Sequence, residues 1–392
     1  MQVTFIDTEE SWKQMLPLSY TRPVADVRVG IFKVHEKWIK ALSCERVFFR
    51  SQSYLQDLFK APSSKSLTIL GNILPTSDLV RSIQSLKDDE ALVFQDQLIA
   101  GYFDADEHFK VGNRKVLEIE NLRQISYPWN IFQLNGSEIQ QDYDLLIKNH
   151  SSEVITDPHT KTYGEQIFVE KGAKIKAAIL NAENGPIYIG KDAEVQEGSL
   201  IRGPFALCEY SVVNMGAKIK GDTTIGPYAK VGGEVSNSVI LGYTNKGHEG
   251  FLGNSVIGEW CNLGADTNNS NLKNNYANVK MWDFATGRFK DTGLQFCGLI
   301  MGDHSKCGIN TMFNTGTTVG VSANIFGDGF PRTIIPSFAW GGSSGFTTYQ
   351  SRKAFETAEL VMSRRNKELT EADKAMLSHI FEITSENRVW EK

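Results

Sequence analysis

No run of 18 apolar residues occurs in this chain of 392, so nothing in it reads as a membrane-spanning helix. A basic surplus is missing too: Lys and Arg number 41 against 46 Asp and Glu, for a net charge of −5. That balance excludes a broad electrostatic footprint for nucleic acid or an anionic membrane, and it leaves anionic ligands to local groups. Cysteine is scarce. The five residues Cys44, Cys208, Cys261, Cys297 and Cys307 contain no CxxC pair, which argues against a zinc site or a disulfide framework and for small buried hydrophobes. The opening Met1-Gln2-Val3-Thr4-Phe5-Ile6-Asp7 has no basic region followed by an apolar stretch, so the expected location is cytoplasmic.

What the chain does have is a beat of six. Ile189, Val195, Ile201, Leu207, Val213, Ile219, Ile225 and Val231 keep it, and it returns at Met301, Cys307, Phe313, Val319 and Ile325. Small residues follow four places on, at Ala193, Ser199, Ala217, Thr223 and Ala229, then at Ser305, Thr311, Thr317 and Ala323. Neither a helix of period 3.6 nor a strand of period 2 produces this, so the pattern predicts a hexapeptide parallel β-helix. Three hexapeptides make one triangular coil. The branched residue points inward and the small one fits a corner.

The length predicts about two domains. Residues 1–140 alternate short apolar runs with helical stretches: Val3–Ile6, Arg46–Phe49, Leu67–Leu70 and Ala91–Phe94 read as strands, and His35–Ala41, Gln52–Phe59 and Ser77–Leu86 as helices. A connection follows over 141–163, with Ser137 just before it read as the cap of a short helix. The prism is placed at 164–332, about seven coils and ~34 Å tall at ~4.8 Å per coil. Polar residues at 268–298 break its beat and are expected to leave it as a loop or hairpin with a functional role. Two helices are expected in the tail, 333–392, the second opened by the cap signature Thr370-Glu371-Ala372-Asp373.

Where the first beat ends, the chain reads Asn245-Lys246-Gly247-His248-Glu249-Gly250-Phe251-Leu252-Gly253, then Ile257-Gly258, Asn262-Leu263-Gly264-Ala265-Asp266-Thr267 and Asn271. These residues resemble the acetyltransferase half of the bifunctional glucosamine-1-phosphate N-acetyltransferase/UDP-N-acetylglucosamine pyrophosphorylase family, over roughly residues 185–330. The resemblance implies a left-handed β-helix, a homotrimer, and acetyl-CoA and a hexosamine-1-phosphate as substrates. Imidazole titrates near neutrality and suits removal of a proton from a sugar amine, so His248 is the candidate base. Asn271 is expected to orient the amine or donate to a forming oxyanion. The chain is similar as well to archaeal-type bifunctional sugar-1-phosphate enzymes, and Lys280 matches a lysine of their pattern and is a candidate phosphate ligand. Phe251 stands where the family has tyrosine, keeping a ring wall without its hydroxyl. Ser236 replaces a phosphate-binding lysine, and Lys246, Lys280 or Arg288 are the candidates to supply the missing charge. Asp266 replaces a glycine.

The N-terminal stretch Leu16-Pro17-Leu18-Ser19-Tyr20-Thr21-Arg22-Pro23, with Arg28-Val29-Gly30 and Glu36-Lys37-Trp38, resembles a reduced sugar nucleotidyltransferase. The family's Gly-rich loop is replaced by Asp7-Thr8-Glu9-Glu10-Ser11, the lysine after proline is Val24, and Asn72 takes the place of a metal-binding aspartate. Arg22, Arg28, Lys37 and Asn72 remain as candidate ligands for a nucleoside triphosphate, with Mg²⁺ as its counter-ion and no certain metal ligand. The expected protein is thus an α/β nucleotidyltransferase-like domain joined to a left-handed parallel β-helix with C-terminal helices. Its expected work is acetyl transfer, with nucleotidyl transfer in the first domain. A nucleotidyltransferase of the glucose-1-phosphate thymidylyl or uridylyl type whose prism serves assembly, and a trimeric scaffold without turnover, stand as alternatives.

Overall fold

A computed structural model describes residues 2–148 and 150–392; Met1 and Asn149, the latter within the expected connection, lie outside the described residues. The chain divides into two compact units, one of residues 2–27 and 32–127, the other of residues 28–31 and 128–392.

The first unit is a six-stranded mixed sheet, β1 (Gln2–Ile6), β2 (Arg46–Arg50), β3 (Ser66–Leu70), β4 (Glu90–Phe94), β5 (Gln97–Phe103) and β6 (Lys115–Glu118), in the order β2-β1-β3-β5-β4-β6. β1 pairs in parallel with both β2 and β3. Its three helices are α1 (Glu9–Gln14), α2 (Val34–Leu42) and α3 (Ser77–Gln84). Thr8 caps α1 by accepting from the Ser11 amide at 3.1 Å, and Thr76 caps α3 by accepting from the Leu79 amide at 3.3 Å. The four expected strands and two of the three helices are present. Gln52–Phe59 instead makes a 3₁₀ turn at Ser53–Leu55, since one isolated turn does not propagate. β5 follows β4 through Gln95 and Asp96, both at positive φ, the geometry of a tight hairpin.

The second unit carries a parallel β-helix of three faces. The second face stacks nine strands from Ile167–Val169 to Ile334–Ile335, and the third stacks ten from Lys174–Ile175 to the terminal hairpin Ala339–Gly342/Gly345–Thr348. The first face runs through six strands, from Lys161–Tyr163 to Phe251–Gly253. Nine rungs stand about 38 Å tall at ~4.8 Å each, two more than the beat of six reveals. Every residue of that beat is buried, and so are the small residues at the corners. Beyond Val231 the inward row continues through Val235, Ile240, Lys246, Leu252, Ile257 and Leu263 with shortened spacings. At one corner Tyr210, Tyr228, Tyr243 and Trp260 stack at centroid distances of 4.8, 5.0 and 4.1 Å, each at a left-handed φ.

Two boundaries differ from expectation. Asn268–Asn269 still belongs to the prism, in register with Met312–Phe313, so the excursion begins only after Ser270. It leaves as the antiparallel hairpin Lys280–Asp283/Arg288–Asp291. The chain before the prism forms one helix, α4 (Pro128–Ile147), with Pro at its first position. Ser137 is inside it, not at a cap, and donates to the Leu134 carbonyl at 2.8 Å. Gly136 allows the helix to approach the second face, where a Cβ would meet the Asp222 carboxylate. Because α4 packs along the second face, the division falls at residue 127 and not in 141–163. The tail holds α5 (Ser351–Ser363) and α6 (Glu371–Ile383); Thr370 and Asp373 form the expected reciprocal cap, at 3.2 and 2.9 Å. Among the described residues no helix is long and apolar enough to cross a membrane.

Candidate active site on the β-helix

The strand Asn245–Lys246 ends in the turn Gly247-His248-Glu249-Gly250, which leads to the strand Phe251–Gly253. Gly250 has φ +114°, and a Cβ there would meet the Thr267 carbonyl, so only glycine fits the turn. His248 is exposed at this corner and is not sealed in the prism. Two donors hold its backbone: Lys246 Nζ reaches the His248 carbonyl at 2.7 Å, and Asn214 Nδ2 reaches the Gly247 carbonyl at 2.7 Å.

Lys246 itself is the largest departure from expectation. The sequence marks it as a candidate phosphate ligand, but it occupies an inward position, in register with Val231, and is 2% exposed. Its ammonium donates to the carbonyls of Gly232, at 3.0 Å, and His248. Burial brings its pKa down to about 8, against the pull of Glu249, Asp266 and Cys307. A core lysine cannot meet a surface phosphate. It anchors the turn instead.

On the strand that follows this turn, Phe251 and Asn271 meet at Gly253, with Asn254 beside it. A Cβ on Gly253 would meet the Phe251 ring and would lie 2.8 Å from Asn271 Nδ2, so the bare α-carbon is what lets ring and amide share this place. Asn271 donates to Asn254 Oδ1 at 2.8 Å, and the Phe251 amide donates to Asn268 Oδ1 at 3.0 Å. Ser236, the position of the absent lysine, pairs with Gly253. Charge on this face comes from residues the sequence did not single out. Lys220 donates to Glu234 at 2.6 Å, and Lys218 stands 4.0 Å from Glu249. Their signal was the register of the rungs, which puts Lys218, Glu234 and Phe251 in one column. Lys280 and Arg288 are exposed on the hairpin, facing Asp291 and Asp283 in register.

In the first unit, Asp7, Ser51, Gly71 and Asn72 gather at the carboxyl ends of β1, β2 and β3, where open α/β sheets bind ligands. The returning segment fills that place. The Val24 amide donates to Asp7 at 3.1 Å and Ser51 donates to it at 2.6 Å, while burial raises the Asp7 pKa to about 6. Arg22, Lys37 and Asn72 are all buried, and Arg22 lies 3.9 Å from Asp26. The Asn72 Oδ1 has no hydrogen-bond partner among the described residues. Arg28 belongs to the second unit, where its guanidinium donates to the Ile31 carbonyl. Among the described residues no group of three or more His, Cys, Asp or Glu could hold a metal ion. With the Asp7 carboxylate taken up by Val24 and Ser51, and an asparagine at position 72, the donors here do not fit the Mg²⁺ that the resemblance implies.

A family model described as sugar nucleotidyl transferase matches residues 3–151. The chain is 30% identical over 215 residues to a bifunctional sugar-1-phosphate nucleotidylyltransferase/acetyltransferase of Sulfurisphaera tokodaii, covering 54% of this chain and 47% of that protein. It is 37% identical over 87 residues to the bifunctional protein GlmU of Methanocaldococcus jannaschii, covering 22% of this chain and 21% of that one. The chain thus spans about half the length of the first of these relatives and about a fifth of the second. Among solved structures, an Arabidopsis UDP-N-acetylglucosamine acyltransferase aligns at 13% identity and a TM-score of 0.31, over 60% of this chain and 98% of that one.

Proposed function

We propose that the β-helix transfers an acetyl group from acetyl-CoA to the amine of a hexosamine-1-phosphate, with His248 as the base. The observation that carries this reading is an exposed imidazole on a backbone tied at both ends of its peptide, in the turn that leads to the strand where an amide and a ring share Gly253. The neutral sugar nitrogen attacks the thioester carbonyl carbon. His248 accepts the proton that the nitrogen sheds, the C–S bond breaks, and the proton goes to the departing thiolate of CoA. Asn271, held by Asn254, presents its amide to the sugar or to the tetrahedral oxyanion. Phe251 forms a wall for the ring, and Lys218, Lys220, Lys280 and Arg288 are the exposed cations from which the sugar phosphate draws its partner. The assembly is a homotrimer that works in the cytoplasm.

The relative from Sulfurisphaera tokodaii carries both activities in its name, and the similarity extends over 54% of this chain. Purified protein with acetyl-CoA and glucosamine-1-phosphate should release free thiol. Substituting His248→Ala should lower that release by about 10²–10⁴-fold, the usual contribution of a positioned base. Unchanged release in the variant rejects the reading.

A second reading, nucleotidyl transfer in the first unit, is favoured by the family model matched over residues 3–151. It predicts pyrophosphate release from UTP or dTTP with a sugar-1-phosphate, unaffected by His248→Ala. Protein that releases thiol but no pyrophosphate excludes it.

A further inference from the structure

The third face of the prism carries a column of outward residues in register, Lys230, Asn245, Asn262 and Lys306. Beside it runs the aromatic corner with Tyr243 and Trp260, and opposite it stands the end of α5 with Arg364 and Arg365. Together they line a cleft of about 400 Å³ containing four cations and no carboxylate. We propose that this cleft binds a ligand bearing more than one phosphate group, held by Lys230, Lys306, Arg364 and Arg365.

Several observations converge on an anion. Arg364 is the C-cap of α5 and Arg365 follows it, at the helix end where the dipole favours positive charge, and this accounts for their presence but not for the lysines. Lys306 is half-buried and donates to the His304 carbonyl at 2.9 Å. Burial lowers its pKa. A desolvated ammonium satisfied by a neutral carbonyl, in a cleft lined by three further cations, is a charge that an anion would compensate. The asparagines add polarity without charge: Asn245 Nδ2 donates to Asn262 Oδ1 at 3.1 Å, which orders that pair.

Size and spacing define the class of ligand. Lys230 and Lys306 are three rungs apart, ~14 Å at ~4.8 Å per rung, so one phosphate cannot satisfy both. The stacked Tyr243 and Trp260 line the cleft, an aromatic surface for the organic part of the ligand. A nucleoside carrying phosphates at two positions fits this description. Its source could be a phosphorylated acyl donor or a nucleotide sugar, which share this chemistry. The cleft does not depend on acetyl transfer at His248.

Isothermal titration of the full chain at about 50 mM salt, with adenosine 3′,5′-bisphosphate, UDP and inorganic pyrophosphate as probes, tests the assignment. Saturable binding of at least one nucleotide, weakened about tenfold or more by Lys306→Gln, is expected for the loss of a charge-assisted contact. Preference for the bisphosphate points to the donor, and preference for UDP to a nucleotide sugar. The double variant Arg364→Ala/Arg365→Ala changes one exposed and one half-buried position outside the prism and should weaken binding as well. No saturable binding of any probe to about 1 mM, or equal affinity in wild type and both variants, overturns the proposal. Thiol release without such binding overturns the cleft and leaves the acetyl-transfer reading standing; binding without thiol release does the reverse.

Discussion

Replacing Lys246 with methionine should change how the stability of the protein depends on pH, with a sign opposite to that of most lysines. In the fold its pKa is about 8 against the usual 10.5, and burial is the main cause. Between those values the unfolded chain binds more protons at this side chain than the folded one does. Folding is therefore favoured as pH rises, and the contribution is lost as pH falls through 8. The gap corresponds to about 3 kcal/mol at ~1.4 kcal/mol per pH unit. Between pH 7 and 10 it releases about 2.5 kcal/mol.

The methionine variant carries no such charge but leaves the carbonyls of Gly232 and His248 without this donor, at about 1–3 kcal/mol for each buried acceptor. These terms oppose one another, so the difference at pH 7 alone decides little. Its change with pH is diagnostic, because other titrating groups are common to both proteins and cancel. Guanidinium denaturation of wild type and Lys246→Met at pH 7, 8.5 and 10, following the transition of the β-helix by tryptophan fluorescence, should show the stability of wild type relative to variant rising by about 2.5 kcal/mol. A difference that stays flat from pH 7 to 10 would refute a buried, ionised Lys246.

The same substitution frees the turn that carries His248, so thiol release should fall mainly in kcat, and Lys246→Arg should not rescue it because a guanidinium does not fit the prism; full activity in Lys246→Met would show that the turn holds itself. Asp7→Asn probes the first unit. The Asp7 pKa is raised to about 6 from 3.8, so its favourable contribution is complete below 3.8 and is lost as pH rises through 6. Relative to the asparagine variant, wild type should gain about 2 kcal/mol between pH 7 and 4 in the unfolding of that unit, and no gain would show the carboxyl to be solvated. Gly253→Ala should drive a methyl into the Phe251 ring and the Asn271 amide, at about 1–3 kcal/mol, and raise the KM for the amino sugar while circular dichroism stays unchanged. An unaltered KM would separate this cluster from the substrate.

How much of this could be seen in the sequence depends on whether the rungs keep their length. From Val195 to Val231 the inward residues of the third face recur every 18 positions, and any reader of the sequence can mark them. The next coil, from Val231 to Lys246, spans 15 residues, and the one after it, to Leu263, spans 17. Once corners are trimmed, a period of six no longer tells inside from outside. Lys246 then passes for a surface lysine beside a catalytic motif, and Lys218, Lys220, Glu234 and Phe251 do not declare themselves as neighbours. The same blindness hides the cleft on the third face, because Lys230, Asn262 and Lys306 are brought into one column by pairing and not by spacing.

In the first unit the failure has another cause. Arg22 and Lys37 look like phosphate ligands because isolated cations near a sheet's carboxyl edge usually face solvent, yet both are 3% exposed. Burial of a guanidinium is decided by where its partners stand, here Asp26 four residues away, and composition says nothing of that. The sequence did carry one usable signal. With no glycine in Asp7-Thr8-Glu9-Glu10-Ser11 and two glutamates, the loop after β1 cannot form the amide cradle that a triphosphate needs, and the chain places there the N-terminus of a short capped helix and a carboxyl bonded to Val24. Any nucleotide that enters this unit must therefore displace the Val24 segment or bind elsewhere on the sheet, and Asp7→Asn, which keeps the acceptor and removes the charge, should leave such binding intact if the second route holds.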